Sequence, residues 1–254
     1  MKKFSTKIFL VVLLLSLNIS AQQYTKGSPE WLVDMFFNSS SFEEKINYYT
    51  GEMMNDLQQP TIGEELKESD AQILFYKILE KDNRQNFAVE LEVNERVIDF
   101  YCYIIKENET WKIEAIRRFL LPRFIYSVYD SLSNLPSPSP PDQNLMKTLQ
   151  LFTMNDAQLK NYLNSKDDEY SNIVWYFNRN ENEEVDSRLS LLGCNAVYKD
   201  NRFPSCVFIQ INTFKRMETG FFYANEKSVI PLMSPKEFIY IEKVLPGWYL
   251  YRIM

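Results

Sequence analysis

The ionisable residue best placed for chemistry is Asp99, in the run Val97-Ile98-Asp99-Phe100-Tyr101-Cys102-Tyr103-Ile104. An aspartate beside tyrosine hydroxyls is minimal equipment for proton transfer, with the carboxylate as base and Tyr101 or Tyr103 as oxyanion donor. Strand alternation argues against that use. Ile98, Phe100, Cys102 and Ile104 share one face, in phase with Phe87, Val89, Leu91 and Val93, and this is the expected core side. Asp99, Tyr101 and Tyr103 then point outward with Glu90, Glu92, Lys112 and Glu114. Asp99 is expected to be solvated, and the two tyrosines to mark a contact surface.

Cys194 and Cys206 flank an expected turn at residues 199–202 and lie nearly opposite each other in a hairpin centred near residue 200. A cross-strand disulfide there would stabilise the fold by about 3 kcal/mol through loop closure; the alternative is two buried thiols. Cys102, on the core face, is expected to pack as a small hydrophobe. Acidic clusters occur at Glu64-Glu65, at Asp167-Asp168-Glu169, and among Asn178, Asn180, Asn182, Glu183, Glu184 and Asp186. The last is rich in oxygen ligands but lacks the glycine and terminal glutamate of a calcium loop, so a solvated loop is expected and no metal. The chain contains no histidine, which removes Ser/His and Cys/His nucleophilic catalysis and His-ligated zinc or iron. Its glycines are isolated, so the common phosphate-cradling loops are missing and no cofactor is expected.

The elements that position these residues read as two helix-then-strand modules. Ser28-Pro29 is a helix start, followed by Trp31, Leu32, Met35 and Phe36 at helical spacing. Ser41, with Glu44 three residues on, suggests a second start that places Phe42, Ile46 and Tyr49 on one face. Strands are predicted over residues 73–79, 87–93, 97–105 and 111–116, separated by polar turns. A short helix follows at 122–132. The second half predicts helices at 144–152, 156–163 and 170–177, with Asn155 as a cap, and strands at 189–198, 206–211, 220–224, 237–244 and 248–253. Aromatics on both faces of these last strands require a sheet that is either covered twice or exposes an apolar patch. Trp111 and Trp248 each open a final strand, with an aliphatic residue two positions on and Ile five on, a weak internal echo. The fold class is α+β, with each module a set of helices followed by an antiparallel meander.

The domain plan follows. Lys2, Lys3 and Lys7 precede an apolar stretch at residues 8–17 that ends near Ala21. At about ten residues it is too short to span a bilayer and reads as a cleaved signal peptide, residues 1–21. Residues 22–133 form the first α+β domain, residues 134–142 a linker with Pro136, Pro138, Pro140 and Pro141, and residues 143–254 the second domain. Signal removal lowers the 28 basic residues to 25 against 34 acidic ones and moves the net charge from −6 to −9. Nucleic acid and anionic membrane are therefore poor partners, and no integral membrane segment remains after cleavage.

The helices from Pro29 to about Leu57, followed by a meander whose last strand reads Glu109-Thr110-Trp111-Lys112-Ile113, resemble the nuclear-transport-factor-2-like superfamily, which includes ketosteroid isomerases and polyketide cyclases. The resemblance covers about Ser28 to Phe119. It implies a cone-shaped α+β domain with a pocket between helices and sheet, in a superfamily where many members are non-catalytic binding modules. The expected function is a secreted or periplasmic, non-enzymatic protein that binds a hydrophobic small molecule or an extracellular protein partner. The alternative is an isomerase-like or cyclase-like enzyme using Asp99, Tyr101 and Tyr103. Protein recovered outside the cytoplasm is expected to begin at Gln22 by intact mass; a full-length, membrane-embedded product would contradict the signal-peptide reading.

Overall fold

The structure, a computed structural model, describes residues 24–94 and 96–254. The signal-peptide segment lies outside the described residues. The first half opens with α1 (Pro29–Phe37), where Ser28 Oγ accepts from Trp31 N–H at 3.2 Å and Pro29 occupies the first turn. Its stripe of Leu32, Val33, Phe36 and Phe37 is buried against Phe87, Val89, Leu91, Phe100, Cys102 and Ile104 of the sheet. Burial of such a stripe, more than intrinsic propensity, is what holds so short a helix.

The expected Ser41 start is displaced. Helix α2 is a single turn (Lys45–Tyr48) without a side-chain cap, and Ile46 is exposed. The reciprocal capping box belongs to α3 (Ile62–Leu66), between Thr61 and Glu64. Glu64 also accepts from Phe42 N–H at 2.9 Å and from Lys45 at 2.6 Å, which ties the Phe42 loop down without extending a helix through it. Burial disfavours the Glu64 carboxylate, yet these donors hold its pKa down to about 2. One candidate acidic cluster is thus a structural tie.

Strands β1 (Gln72–Lys81), β2 (Arg84–Val93), β3 (Arg96–Glu107) and β4 (Thr110–Arg118) pair in sequential antiparallel order, as expected. Helix α4 (Arg123–Ser133) leads to a connector at residues 134–139, shorter than the proline run. Pro140 and Pro141 form the first turn of α5 (Pro140–Thr153), capped by Ser139. The first helical turn has no use for an N–H donor, so prolines fit there.

Helices α6 (Asp156–Ser165), α7 (Asp167–Phe177) and α8 (Asn182–Leu192) follow, and Asn155 caps α6 as the sequence predicts. Helix α8 replaces both the expected acidic loop and the start of the expected strand at 189. Val185, Leu189 and Leu192 recur at helical spacing and are buried, and Gly193 ends the helix at φ +74°. The second sheet contains β5 (Ala196–Tyr198), β6 (Cys206–Phe214), β7 (Met217–Ala224), β8 (Phe238–Leu245) and β9 (Trp248–Ile253), in the order β5-β6-β7-β9-β8. The last strand therefore inserts beside β7 and leaves β8 at the edge. Trp111 lies on an edge strand and Trp248 on an interior one, so topology gives their echo no common role. Aromatics are buried on both faces of the sheet. Phe221 and Trp248 pack on Tyr170 of α7, while Phe208, Phe222, Phe238 and Tyr251 pack on one another.

The disulfide expectation is corrected: Cys102, Cys194 and Cys206 are all buried and unpaired. Ala196 pairs with Gln210 and Tyr198 with Phe208, which centres the hairpin on residue 203 and slides the two cysteines apart along the ladder. Cys194 sits 3.4 Å from the Tyr170 hydroxyl, and Cys206 donates to the Val229 carbonyl at 3.5 Å. Burial pushes their thiols up to about 12 and about 11. Thiol titration without reductant is expected to find almost none reactive in the native protein and three after unfolding; a single thiol after unfolding would restore the disulfide.

Candidate functional site

The strand phase inferred for β3 holds, but its outer face is not solvated. Phe100, Cys102 and Ile104 belong to the first core, whereas Tyr101 and Tyr103 belong to the core of the second half. Small neighbours make this possible. Tyr101 pairs across the sheet with Ala88, and Tyr103 with Ala115, which leaves room for the second half to approach. Tyr240 of β8 enters that space and stacks on Tyr101, ring centroids 4.8 Å apart.

The seam is closed by polar contacts that satisfy what it buries. Tyr103 Oη donates to the Ile239 carbonyl at 2.6 Å. Tyr76 of β1 donates to Glu242 of β8 at 2.9 Å, and Lys160 of α6 reaches both, at 2.8 and 3.1 Å. At the centre, Tyr101 Oη donates to Asp156 Oδ2 at 2.8 Å, and Arg252 Nε donates to Asp156 Oδ1 at 2.7 Å. Arg252 Nη2 also donates to the Met154 carbonyl at 2.8 Å, and its guanidinium lies 4.4 Å from the Phe119 ring centroid. Side-chain exposure is 2% for Arg252 and 3% for Asp156. Both charges are thus fully desolvated, and the pair is tolerable only because these bonds accompany it.

Asp99 completes this cluster, correcting its expected solvation. Its side chain is 10% exposed, and Oδ2 accepts the backbone N–H of Asp156 at 2.9 Å and lies 3.8 Å from Arg252 Nη2. Its other oxygen, Oδ1, is buried with no hydrogen-bond partner among the described residues. Asp99 lines a cleft of about 90 Å³ whose walls include Val97, Ile98, Phe119, Tyr126 and Phe152, with Arg252 also at its edge. Burial first, and the Asp156 carboxylate second, raise the Asp99 carboxyl from 3.8 to about 7, against the opposing pull of Arg252 and the Asp156 N–H. A buried, partly unsatisfied carboxyl titrating near neutrality beside a cleft is a functional-site signature with a physical cause.

The remaining candidates do not join it. Tyr101 and Tyr103 are beside Asp99 in the strand, but their hydroxyls are committed to Asp156 and the Ile239 carbonyl. Burial and then Asp156 hold Tyr101 well above its ordinary range, so it stays a neutral donor. The interior expected to form the cone's pocket is filled by Phe37, Phe42, Tyr49, Phe87 and Phe100. A crevice of about 210 Å³ remains near Tyr49, Glu52 and Arg117, where the two charged groups pair with each other. No group of three or more potential metal ligands occurs among the described residues. Asp156 and Arg252 escape sequence reading, although Arg252, a lone cation within Trp248-Tyr249-Leu250-Tyr251-Arg252-Ile253, is the kind of charge that needs a buried partner.

Neither family models, nor curated proteins, nor solved structures yield a match to this chain. Two outcomes follow from the site's electrostatics. Arg252→Met strands two buried carboxyls and is expected to cost about 3–5 kcal/mol in urea denaturation. The folded protein holds on Asp99 a proton that the unfolded chain releases, so that stabilisation is present below pH 3.8 and is lost as pH rises toward 7. The loss is at most about 1.4 kcal/mol per pH unit, and Asp99→Asn is expected to remove it and be the more stable protein at pH 8.

Proposed function

We propose that the protein is an exported, non-enzymatic binding protein that holds a small ligand with an apolar body in the seam cleft at Asp99. The observation that carries this reading is Asp99, a buried carboxyl with one oxygen unpartnered among the described residues, in the lining of a cleft that mixes apolar side chains with Thr153, Asn155 and Arg252. Ligand sites combine such walls with a few fixed polar groups. The basic, apolar and small-residue leader supports export to a secreted or periplasmic location. A helix laid on a four-stranded meander supports kinship of the first half with the nuclear-transport-factor-2-like cones. The ligand, however, is taken on the opposite side of the sheet from the cone interior.

Binding is favoured over isomerase-like or cyclase-like catalysis by the donors around Asp99. Such chemistry needs a hydroxyl held within reach of the substrate oxygen; those of Tyr101 and Tyr103 are already engaged, and Tyr126, the remaining cleft tyrosine, is 41% exposed with no hydrogen bond among the described residues to fix its hydroxyl. The test is native mass spectrometry of protein purified from its own host, compared with Leu120→Trp. Leu120 lines the cleft yet is 53% exposed, so tryptophan there fills the cleft with little disturbance of the core. A retained small mass in the wild type that disappears in the variant is expected. A mass that persists in the variant, or a wild type that neither carries one nor is stabilised by host small-molecule extract, overturns the proposal.

A further inference from the structure

The charge count of the seam bears on which ligand chemistry it would suit. Two carboxyls, Asp99 and Asp156, face one guanidinium, Arg252, in a region that water scarcely reaches. Asp156 spends both its oxygens on Arg252 and Tyr101, and Asp99 spends Oδ2 on a backbone N–H. Only Asp99 Oδ1 is left over. Among the groups around it, Glu90 on β2 stands opposite Asp99 in register and adds negative charge. Arg96 lies three residues back on the same strand and is exposed, while Tyr126 of α4 and Tyr101 are neutral. The segment at residues 119–121 and the end of α5 bring no charge. The buried cluster is therefore short of one positive charge when Asp99 is ionised.

We propose that the cleft binds a small primary alkylammonium ion, its ammonium group donating to Asp99 Oδ1 and its alkyl chain lying against Val97, Ile98 and Phe152. The inference rests on the reading that this cleft is the ligand site and names the ligand class. The aromatic residues Phe152 and Tyr126 in the lining suit a cation better than a neutral donor. Val97, Ile98 and Phe152, in a lining that also holds Thr153 and Asn155, favour an organic cation over a hydrated inorganic one. Engineered cavities of about 150 Å³ hold benzene, so a cleft of about 90 Å³ suits roughly a three- or four-carbon chain. Binding exchanges a proton for the ligand: neutral Asp99 gives its proton to solvent, and the carboxylate left behind pairs with the incoming ammonium. The raised Asp99 carboxyl, at about 7, places this exchange near neutral pH.

Isothermal titration with n-butylammonium chloride at pH 6 and pH 8, in buffers of different ionisation heat, tests the inference. Affinity is expected to rise about tenfold between the two pH values, with close to one proton released per ion bound at pH 6. Asp99→Asn, which keeps an oxygen for the Asp156 N–H, is expected to remain folded by circular dichroism and to lose both the affinity and the proton release. Equal binding to Asp99→Asn, pH-independent binding, or equal binding of potassium chloride overturns the alkylammonium assignment. If n-butanol binds as well as n-butylammonium, the charge argument fails and the small-ligand reading of the cleft stands. If neither binds, the alkylammonium inference is overturned, and the small-ligand reading is decided separately by the mass retained from the host.

Discussion

Asp156, held by Arg252 within the second half and by Tyr101 and Asp99 from the first, is the group on which the arrangement of the two halves depends. Arg252 is on the last strand, Asp156 opens α6, and the hydroxyl that shares Asp156 comes from Tyr101 in the first sheet. One buried ion pair thus ties the end of the chain to its middle and to its first module. Desolvating two charges is costly, and an apolar replacement of similar shape would often be as stable. What the pair adds is geometry. Arg252 is met by a carboxylate oxygen, the Met154 carbonyl and the Phe119 ring, and a shift of the first half along the seam would break the Phe119 contact together with the Tyr101 bond to Asp156.

The same constraint explains why the outer face of the first sheet could be misread. Alternation correctly separates Phe100, Cys102 and Ile104 from Asp99, Tyr101 and Tyr103, but alternation says only that there are two faces. What covers each face is a tertiary fact. The near-continuous apolar and aromatic run from Phe100 to Ile105, and the alanines at 88 and 115, are the local signs of a strand buried on both sides. They are legible once the partner is known and ambiguous before. Local chemistry fared better. The Ser28 and Asn155 caps, the four strands of the first sheet and its polar turns were readable because a few neighbouring residues determine them. The Cys194–Cys206 pairing and the strand at 189 failed for a related reason: a short apolar run before a glycine suits a helix end as well as a strand, and α8 shifted the hairpin register that followed.

The filled interior of the first module bears on how its fold is used. Aromatic side chains occupy the space between α1 and the sheet, so the surface that a cone would offer to a ligand is spent on stability. The candidate site lies on the other side of the sheet, where the second module supplies Arg252, Asp156 and Phe152 and the first supplies Asp99, Phe119 and Tyr126. A site built from two modules inherits the stiffness of both. Its polar groups are held by strands β3 and β9 and by the first turn of α6 rather than by loops.

Asp99 is the one element of the seam that stability alone does not explain. Its favourable contacts are a hydrogen bond accepted from the Asp156 N–H, which an asparagine oxygen would accept equally well, and the Arg252 guanidinium 3.8 Å away, already paired with Asp156. The acid instead places a second carboxyl beside Asp156 in a desolvated region, at a free-energy cost above neutral pH, and leaves an oxygen buried without a partner. Elsewhere the seam satisfies its polar groups closely: Tyr76, Tyr101, Tyr103, Glu242 and Lys160 all find partners. The local departure from that rule falls at a carboxyl whose ionisation is raised toward neutrality and whose residue lines a cleft. In a fold otherwise built for rigidity, such departures from satisfying its own groups concentrate at functional sites.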